Sequence, residues 1–291
     1  MTPWQQIENN LSETLGERIT LSRPDSVSGG CINQAYRAQS AQQKFFIKMN
    51  DETGLEMFEA EAEGLNALGK ADGLRIPKPI CSGMAEGHAW LVMEDLQIGS
   101  TGNQAALGEG LAAMHRITAD KFGWHRDNTI GATPQINQQE TDWVHFWQEH
   151  RLGYQLQLAI RRGAGSKLQA MGEQLLDALP KILADHSPQA SLLHGDLWSG
   201  NYAFTQKAEP TIFDPAVYYG DREADLAMTE LFGGFGSEFY AAYENAWPLD
   251  KGYSSRKKLY NLYHVLNHYN LFGGGYLSQA KGVMTSLLRE V

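Results

Sequence analysis

The chain has 291 residues, 42% of them hydrophobic and 20% charged, with a formal net charge of −10 at pH 7. This length buries a large core and suggests two lobes. The acidic balance argues against a general nucleic-acid binder, which needs a basic face, while it suits a cationic substrate or simply a solvated surface.

Two cysteines, Cys31 and Cys81, make no disulfide framework and point to a reducing compartment. The N-terminal segment lacks the basic stretch and apolar core of a signal peptide. No window approaches the roughly 18 uninterrupted apolar residues of a membrane span. The expectation is a soluble, cytoplasmic protein with neither nucleic-acid nor membrane partners. The sequence carries no signal for oligomeric state.

Ile7, Leu11 and Leu15 stand at helical spacing and end near Gly16, predicting a first amphipathic helix. Residues 27–50 read as strand, turn and strand, with Gly29-Gly30 before the first strand. Residues 55–69 predict a helix stopped by Gly69. The segment 77–80, PKPI, interrupts the pattern, and strands follow near 79–83 and 88–93, the second the more buried. At 93–100 the character changes. Helices are expected over 104–117, 140–163 and 167–184, and again from about 222 onward. This predicts an α+β, bilobal, protein-kinase-like fold. Residues 1–95 form a small β-rich nucleotide-binding lobe, 96–291 a larger, mostly helical catalytic and substrate lobe, and 93–97 the linker. A nucleotide would bind in the cleft between the lobes.

Residues 191–216, SLLHGDLWSGNYAFTQKAEPTIFDPA, carry the chemistry. Asp196 follows His194 by two residues, Asn201 follows Asp196 by five, and Asp214 comes thirteen further on, closing the apolar run Thr211-Ile212-Phe213. A lone HxD is an ordinary turn. The full set, each half entered from an apolar strand, matches phosphoryl transfer: an Asp to accept a hydroxyl proton, then an Asn and a second Asp to hold Mg²⁺. Such a reaction needs orientation and charge neutralisation more than covalent help.

Lys48 is expected to end the apolar strand Phe45-Phe46-Ile47. It is expected to pair with phosphates rather than to snorkel, and a charge beside a cleft needs an opposite partner. Glu61 on the 55–69 helix has the spacing to face the sheet, with Glu59 second. Ser28-Gly29-Gly30 would cover the phosphates with backbone N–H groups. Backbone groups of Met93, Glu94, Asp95 and Leu96 would meet the adenine edge. Cys31 is either a small buried hydrophobe or a thiol whose thiolate those N–H groups stabilise. Asp225 reads as structural, by bracing the catalytic loop or serving a helix start. Asp221 and Arg222 read as substrate-pocket residues. His264 and His268, an HxxxH pair, read as packing or substrate contact rather than as zinc ligands, since neither a third ligand nor an HExxH glutamate accompanies them.

The segments GGCINQAY, FFIKMN, FEAEAEGL, TIGATPQIN, LLHGDLWSGN, FDPAVYYGDREADLAMTELFGGF and LYHVLNHYNLFGGGY resemble the fructosamine/ketosamine-3-kinase family, from about Trp4 to Gln279. HGDxxxxN alone is shared with aminoglycoside and choline kinases; the longer stretches are more specific. The resemblance implies an aminoglycoside-phosphotransferase-like fold. It also implies ATP- and Mg²⁺-dependent phosphorylation of the 3-hydroxyl of ketosamines such as fructosamine or ribulosamine, free or on a protein lysine. The unstable 3-phosphate then releases the amine, a deglycation repair. It casts Asp196 as catalytic base, Asn201 and Asp214 as Mg²⁺ ligands and Lys48 as phosphate partner, with Trp198 a candidate to stack on the sugar. Asp-Pro-Ala stands where protein kinases have Asp-Phe-Gly, so no Phe-based inactivating flip is expected. The alternatives are a kinase of another amine-bearing alcohol, aminoglycoside- or choline-like, and a nucleotide-binding pseudokinase.

Overall fold

The computed structural model describes residues 2–27 and 32–290. The expected phosphate cover, Ser28, Gly29 and Gly30, and the adjoining Cys31 lie outside the described residues. The first part of the chain forms α1 (Pro3–Leu15), β1 (Asp25–Val27), β2 (Gln34–Gln39), β3 (Lys44–Asp51), α2 (Leu55–Leu68), β4 (Pro79–Ala85) and β5 (His88–Glu94). Then come α3 (Gln104–His115), β6 (Thr118–Ala119), β7 (Asn128–Ile130), β8 (Thr133–Gln135), α4 (Trp143–Phe146), a π-helical stretch Trp147–Gly153, α5 (Tyr154–Arg161), α6 (Ser166–Ile182) and β9 (Ala190–Leu193). The remainder is β10 (Tyr202–Phe204), β11 (Pro210–Ile212), β12 (Tyr218–Gly220), α7 (Glu223–Leu231), α8 (Ser237–Ala246), α9 (Tyr253–Phe272) and α10 (Tyr276–Arg289). The α+β expectation holds.

Local chemistry explains the boundaries. Thr2 and Gln5 form a reciprocal capping box on α1, Pro3 takes the first turn, and Gly16 closes the helix in the left-handed region at φ 71°. The stop at Gly69 is different from that expected: its φ is −64°, so α2 ends without a left-handed glycine. Pro180 lies within α6 and has no N–H to give Leu176; the Gln148 side-chain amide donates to that carbonyl instead, at 2.8 Å.

Strands β1 to β5 make one antiparallel sheet in the order β1-β2-β3-β5-β4. Strand alternation sorts its side chains. Phe45, Ile47 and Met49 of β3 turn toward α1, where Ile7 and Leu11 meet them together with Trp90 and Val92. Phe46 and Lys48 take the opposite face. There α2 covers the sheet, and Phe58, Leu65 and Leu68 join Leu91 and Met93 in a core continuous with Leu107 and Leu111 of α3 and with Leu192 and Leu197. Strand β5 is buried on both faces, which accounts for its unbroken apolar run. A third core gathers α4 to α6, α9 and α10.

Several expectations are corrected. Strand β1 precedes the Gly29-Gly30 pair, so that pair stands between strands; a three-residue strand at a sheet edge is too short to leave a periodic signature. Lys48 does not end its strand, because β3 runs on to Asp51. Met93 and Glu94 belong to β5, paired with Phe46 and Phe45, so the linker begins only at Asp95. Strands β6, β7 and β8 interrupt a region read as helical.

The HxxxH pair on α9 serves packing. His268 Nδ1 bonds to the His264 carbonyl at 2.8 Å, so the two rings do not form a chelate. Burial, reinforced by His268, pushes His264 down to about 3. An unfolded histidine titrates near 6.5, so between these values protons bind only the unfolded chain, and stability is lost as pH falls through that window. His264→Leu should therefore flatten the acid limb of the stability curve. Between pH 7 and pH 4 the wild type should lose about 3 kcal/mol more than the variant, read by urea titration at each pH.

Candidate active site

Alternation in β3 places Lys48 under α2, and the helix period places Glu61 above it. Lys48 Nζ bonds to Glu61 Oε1 at 2.6 Å and to Asp214 Oδ1, 166 positions away in sequence, also at 2.6 Å. Burial alone would lower the Lys48 pKa, but Asp214 and Glu61 outweigh it and hold the ammonium above its ordinary range. The glutamate expected from spacing is the one that pairs. Glu63, two residues on, bonds across to Arg126 Nη1 at 2.9 Å and to His125 Nε2 at 2.8 Å. Directly after Glu63, a Cβ on Gly64 would stand 2.9 Å from Val217 Cγ2, so α2 lies close against the segment after Asp214.

The catalytic loop leaves β9 through His194-Gly195-Asp196. Gly195 is required: its φ is 82°, and a Cβ there would fall 2.0 Å from the Ala216 carbonyl oxygen. His194 stitches the two halves of the motif together. Its Nε2 donates to the Phe213 carbonyl at 2.9 Å, its Nδ1 accepts from the Asp196 N–H at 3.3 Å, and its carbonyl accepts from the Ala216 N–H at 2.8 Å. Burial lowers the His194 pKa, which keeps this pattern neutral. Asn201 adds a second tie: Nδ2 donates to the Asp196 carbonyl at 2.8 Å and lies 3.5 Å from the Asp214 carbonyl. Asp214 itself adopts φ 58°, uncommon for a residue with a side chain.

Asp225 braces this loop from α7. Its carboxylate accepts from the His194 N–H at 2.7 Å, from the Gly195 N–H at 2.8 Å and from His115 Nε2 at 3.1 Å. Burial pushes its pKa up, but these donors prevail and hold it below the usual carboxylate range. His115 in turn meets the Tyr243 hydroxyl at 2.8 Å. Sequence reasoning missed His115, because a histidine ending a helix gives no hint of a carboxylate 110 positions away.

Asp196 has its pKa pushed up to about 7, first by burial and then by the charges of Asp214 and Asp225, with the Asn201 hydrogen bond opposing. Trp198 is 39% exposed, and its ring folds over Gly200, where a Cβ would come within 2.3 Å of Cη2. Phe232 stands edge-on to it at 6.5 Å, and His268 tilts on Phe232 at 4.9 Å. These three side chains thus form one row beginning in the catalytic loop.

Asp221 and Arg222 do not belong to that row, and the substrate-pocket reading of them is corrected. Both are buried. Asp221 holds His186 Nε2 at 2.6 Å and the Tyr260 hydroxyl at 2.5 Å. Arg222 donates to the Trp247 and Pro248 carbonyls and lies over the Trp247 ring. Charge at a strand–helix junction looks the same in a sequence whether it faces a ligand or fastens the helices behind the site. At the linker, the Glu94 N–H is engaged by the Lys78 carbonyl at 2.9 Å and the Asp95 N–H by the Lys44 carbonyl at 3.3 Å. The Glu94 side chain pairs with Arg75, and Asp95 with Arg37 at 3.4 Å. A cavity of about 300 Å³ opens beside this linker, with Arg37, Lys44, Asp95 and Gln97 among its walls.

A small antiparallel sheet joined to a helical lobe, with a Lys–Glu pair above and an Asp–Asn–Asp set below, defines a protein-kinase-like phosphotransferase fold. Comparisons narrow the class. The fructosamine kinase family profile matches residues 3–290. A probable ketoamine kinase of Synechocystis is 48% identical over 99% of this chain and 97% of its own length. A chloroplastic protein-ribulosamine 3-kinase of Arabidopsis thaliana is 45% identical over 95% of this chain and 86% of its own. The crystal structure of a putative fructosamine-3-kinase from Haemophilus somnus superposes with a TM-score of 0.90 at 30% identity, covering 98% and 97% of the two chains. An aminoglycoside phosphotransferase at 17% identity, TM-score 0.62, shares the fold. The chain belongs to the fructosamine kinase family.

Removing one partner of a buried ion pair is more damaging than its Coulomb energy suggests, because the other charge is stranded. Glu61→Ala should leave Lys48 drawn to Asp214 alone. The expected result in steady-state assays is a fall of about 10²-fold in kcat/KM for ATP, about 2.7 kcal/mol, with a raised KM.

Proposed function

We propose that this member of the fructosamine kinase family transfers the γ-phosphoryl group of ATP to the 3-hydroxyl of a ketosamine, a ribulosamine or fructosamine either free or borne on a protein lysine. The names of its relatives, ketoamine kinase and protein-ribulosamine 3-kinase, support this acceptor class. The observation that carries the reading is the convergence of Lys48, Asp196, Asn201 and Asp214 through direct hydrogen bonds. In the same reading residues 1–95 form the nucleotide lobe and 96–291 the catalytic lobe, with the nucleotide between them.

Asp196 accepts the proton of the 3-hydroxyl as that oxygen bonds to the γ-phosphorus, while the bond from phosphorus to the ADP oxygen breaks and ADP leaves with the electron pair. A base with a raised pKa has a useful driving force for this proton. Lys48, fixed by Glu61, neutralises phosphate charge. At the linker the Glu94 and Asp95 N–H groups already have partners, so the adenine edge would be met by the Leu96 N–H and by carbonyls of this stretch.

The site fits Mg²⁺. Asn201 commits its amide nitrogen to the Asp196 carbonyl, which turns its oxygen away as a free ligand, and the Asp214 carboxylate is 46% exposed. Both are hard oxygen donors. Lys48 supplies one positive charge against the carboxylates of Glu61, Asp196 and Asp214, a surplus of negative charge that a divalent cation offsets. When bound, the ion would neutralise the β- and γ-phosphates.

A cytoplasmic, reducing setting completes the proposal. No helix among the described residues is long and apolar enough to cross a membrane. Burial pushes the Cys81 thiol up to about 11, so it is not a reactive thiolate at neutral pH.

The test is phosphorylation with Mg²⁺ and ATP of paired ribulosyl-lysine and fructosyl-lysine. Turnover of at least one is expected; ATP binding without turnover of either sinks the assignment. Asp196→Ala should lower kcat by roughly 10²–10⁴-fold while nucleotide affinity persists. Full activity of that variant would remove Asp196 from the base role.

A further inference from the structure

The aromatic row does not end at the sugar. Beyond Phe232 and His268 it continues to Tyr276, 5.1 Å from His268, and to Phe272, 5.7 Å from His268. Phe232 and Phe272 are 40% and 57% exposed, large apolar rings set in solvent next to a catalytic loop. Their positions are built. Phe232 ends α7 and is followed by two left-handed glycines, Gly233 and Gly234, at φ 72° and 98°. Gly234 lies so near the catalytic loop that a Cβ would stand 2.3 Å from Ser199 Cβ, and its carbonyl accepts from the Tyr202 hydroxyl at 2.7 Å. Phe272 closes α9 and Tyr276 opens α10, joined by a three-glycine turn.

The row offers no acidic or basic side chain to an incoming group. Its histidine is kept neutral because burial lowers its pKa. Such a surface suits an aliphatic chain, with a cation tolerated over the ring faces near the loop. A ketosamine presents that combination: its secondary ammonium is borne on C1, two carbons along the sugar from the C3 that carries the reacting hydroxyl, and the substituent of the amine continues outward. With the 3-hydroxyl at Asp196 and the sugar beside Trp198, the next rings along the row are the exposed Phe232 and, through His268, Phe272 and Tyr276.

We propose, resting on the ketosamine reading above, that Phe232, Phe272 and Tyr276 form an acceptor subsite for the alkyl arm of a ketosamine carried on a lysine side chain of a polypeptide. The ring spacing suits this arm, since four methylenes extend over roughly 6 Å. The subsite makes the amine substituent, and not only the sugar, a determinant of specificity.

The experiment compares kcat/KM on two acceptors: N-ribulosyl-methylamine, which has no arm, and an Nε-ribulosyl-lysine within an acetylated, amidated peptide. The wild type is expected to favour the peptide by roughly tenfold, the effect of burying about two methylenes. Phe272→Ser, at an exposed position, and Phe232→Leu, which keeps most of the side-chain volume, should each reduce that ratio by at least about threefold. A wild-type ratio near one overturns the subsite. So does an unchanged ratio in both variants, including the case where both acceptors lose activity by the same factor. If the wild type phosphorylates neither acceptor, the ketosamine reading falls, and the subsite with it.

Discussion

Lys48 is held between two carboxylates that reach it from different parts of the chain, Glu61 on α2 and Asp214 after β11. A buried ammonium without partners would shed its proton or pull water into the core. Its retention in this fold therefore depends on both contacts, and the one with Asp214 depends on the two lobes meeting in one relative placement. The apolar core that runs from β5 and α2 into α3 and the β9 region supplies that placement. Here α2 is further fastened by the Glu63 bonds to Arg126 and His125, and by the lack of a side chain at Gly64. The helix carrying Glu61 is thus tied to the larger lobe as well as to its own sheet.

Below the lysine, a second layer of interactions converts a strained loop into a fixed one. Gly195 and Asp214 both occupy the left-handed region, at the points where the chain leaves the ladders of β9 and β11. Asp225 satisfies two of the exposed N–H groups, and His115 and Tyr243 support Asp225 from behind. His194 and Asn201 link the loop of Asp196 to the segment of Asp214. Asn201 is held through its amide nitrogen by backbone carbonyls, so its side-chain oxygen is not used in these bonds. Such preorganisation lowers the reorganisation needed as charge develops in transfer.

The same clustering sets the electrostatics. Asp196 sits near Asp214 and Asp225, and its proton affinity rises toward neutrality, whereas Asp225, surrounded by donors, stays ionised. Two aspartates 29 positions apart in sequence are thereby given different protonation behaviour by their surroundings alone. One gains proton affinity from burial and from its acidic neighbours. The other is a fixed charge that shapes the loop.

Much of this was legible in the residues. Interval and strand context marked Asp196, Asn201 and Asp214, because a short loop converts sequence spacing directly into distance. Helical period selected Glu61 over its neighbours, since a residue that precedes Leu65 by four must share its face. The main helices and the strands β2 to β5 followed from apolar periodicity. What the sequence did not disclose depends on contacts across long separations. The bracing of Asp225 by His115, the Glu63 tie to Arg126, and the placement of Asp221 and Arg222 behind the site were decided by tertiary packing. So was the row from Trp198 to Tyr276, whose members come from the catalytic loop, the end of α7, α9 and α10. Local pattern determines which face of an element a side chain occupies. Only the packing of whole elements determines what that face meets.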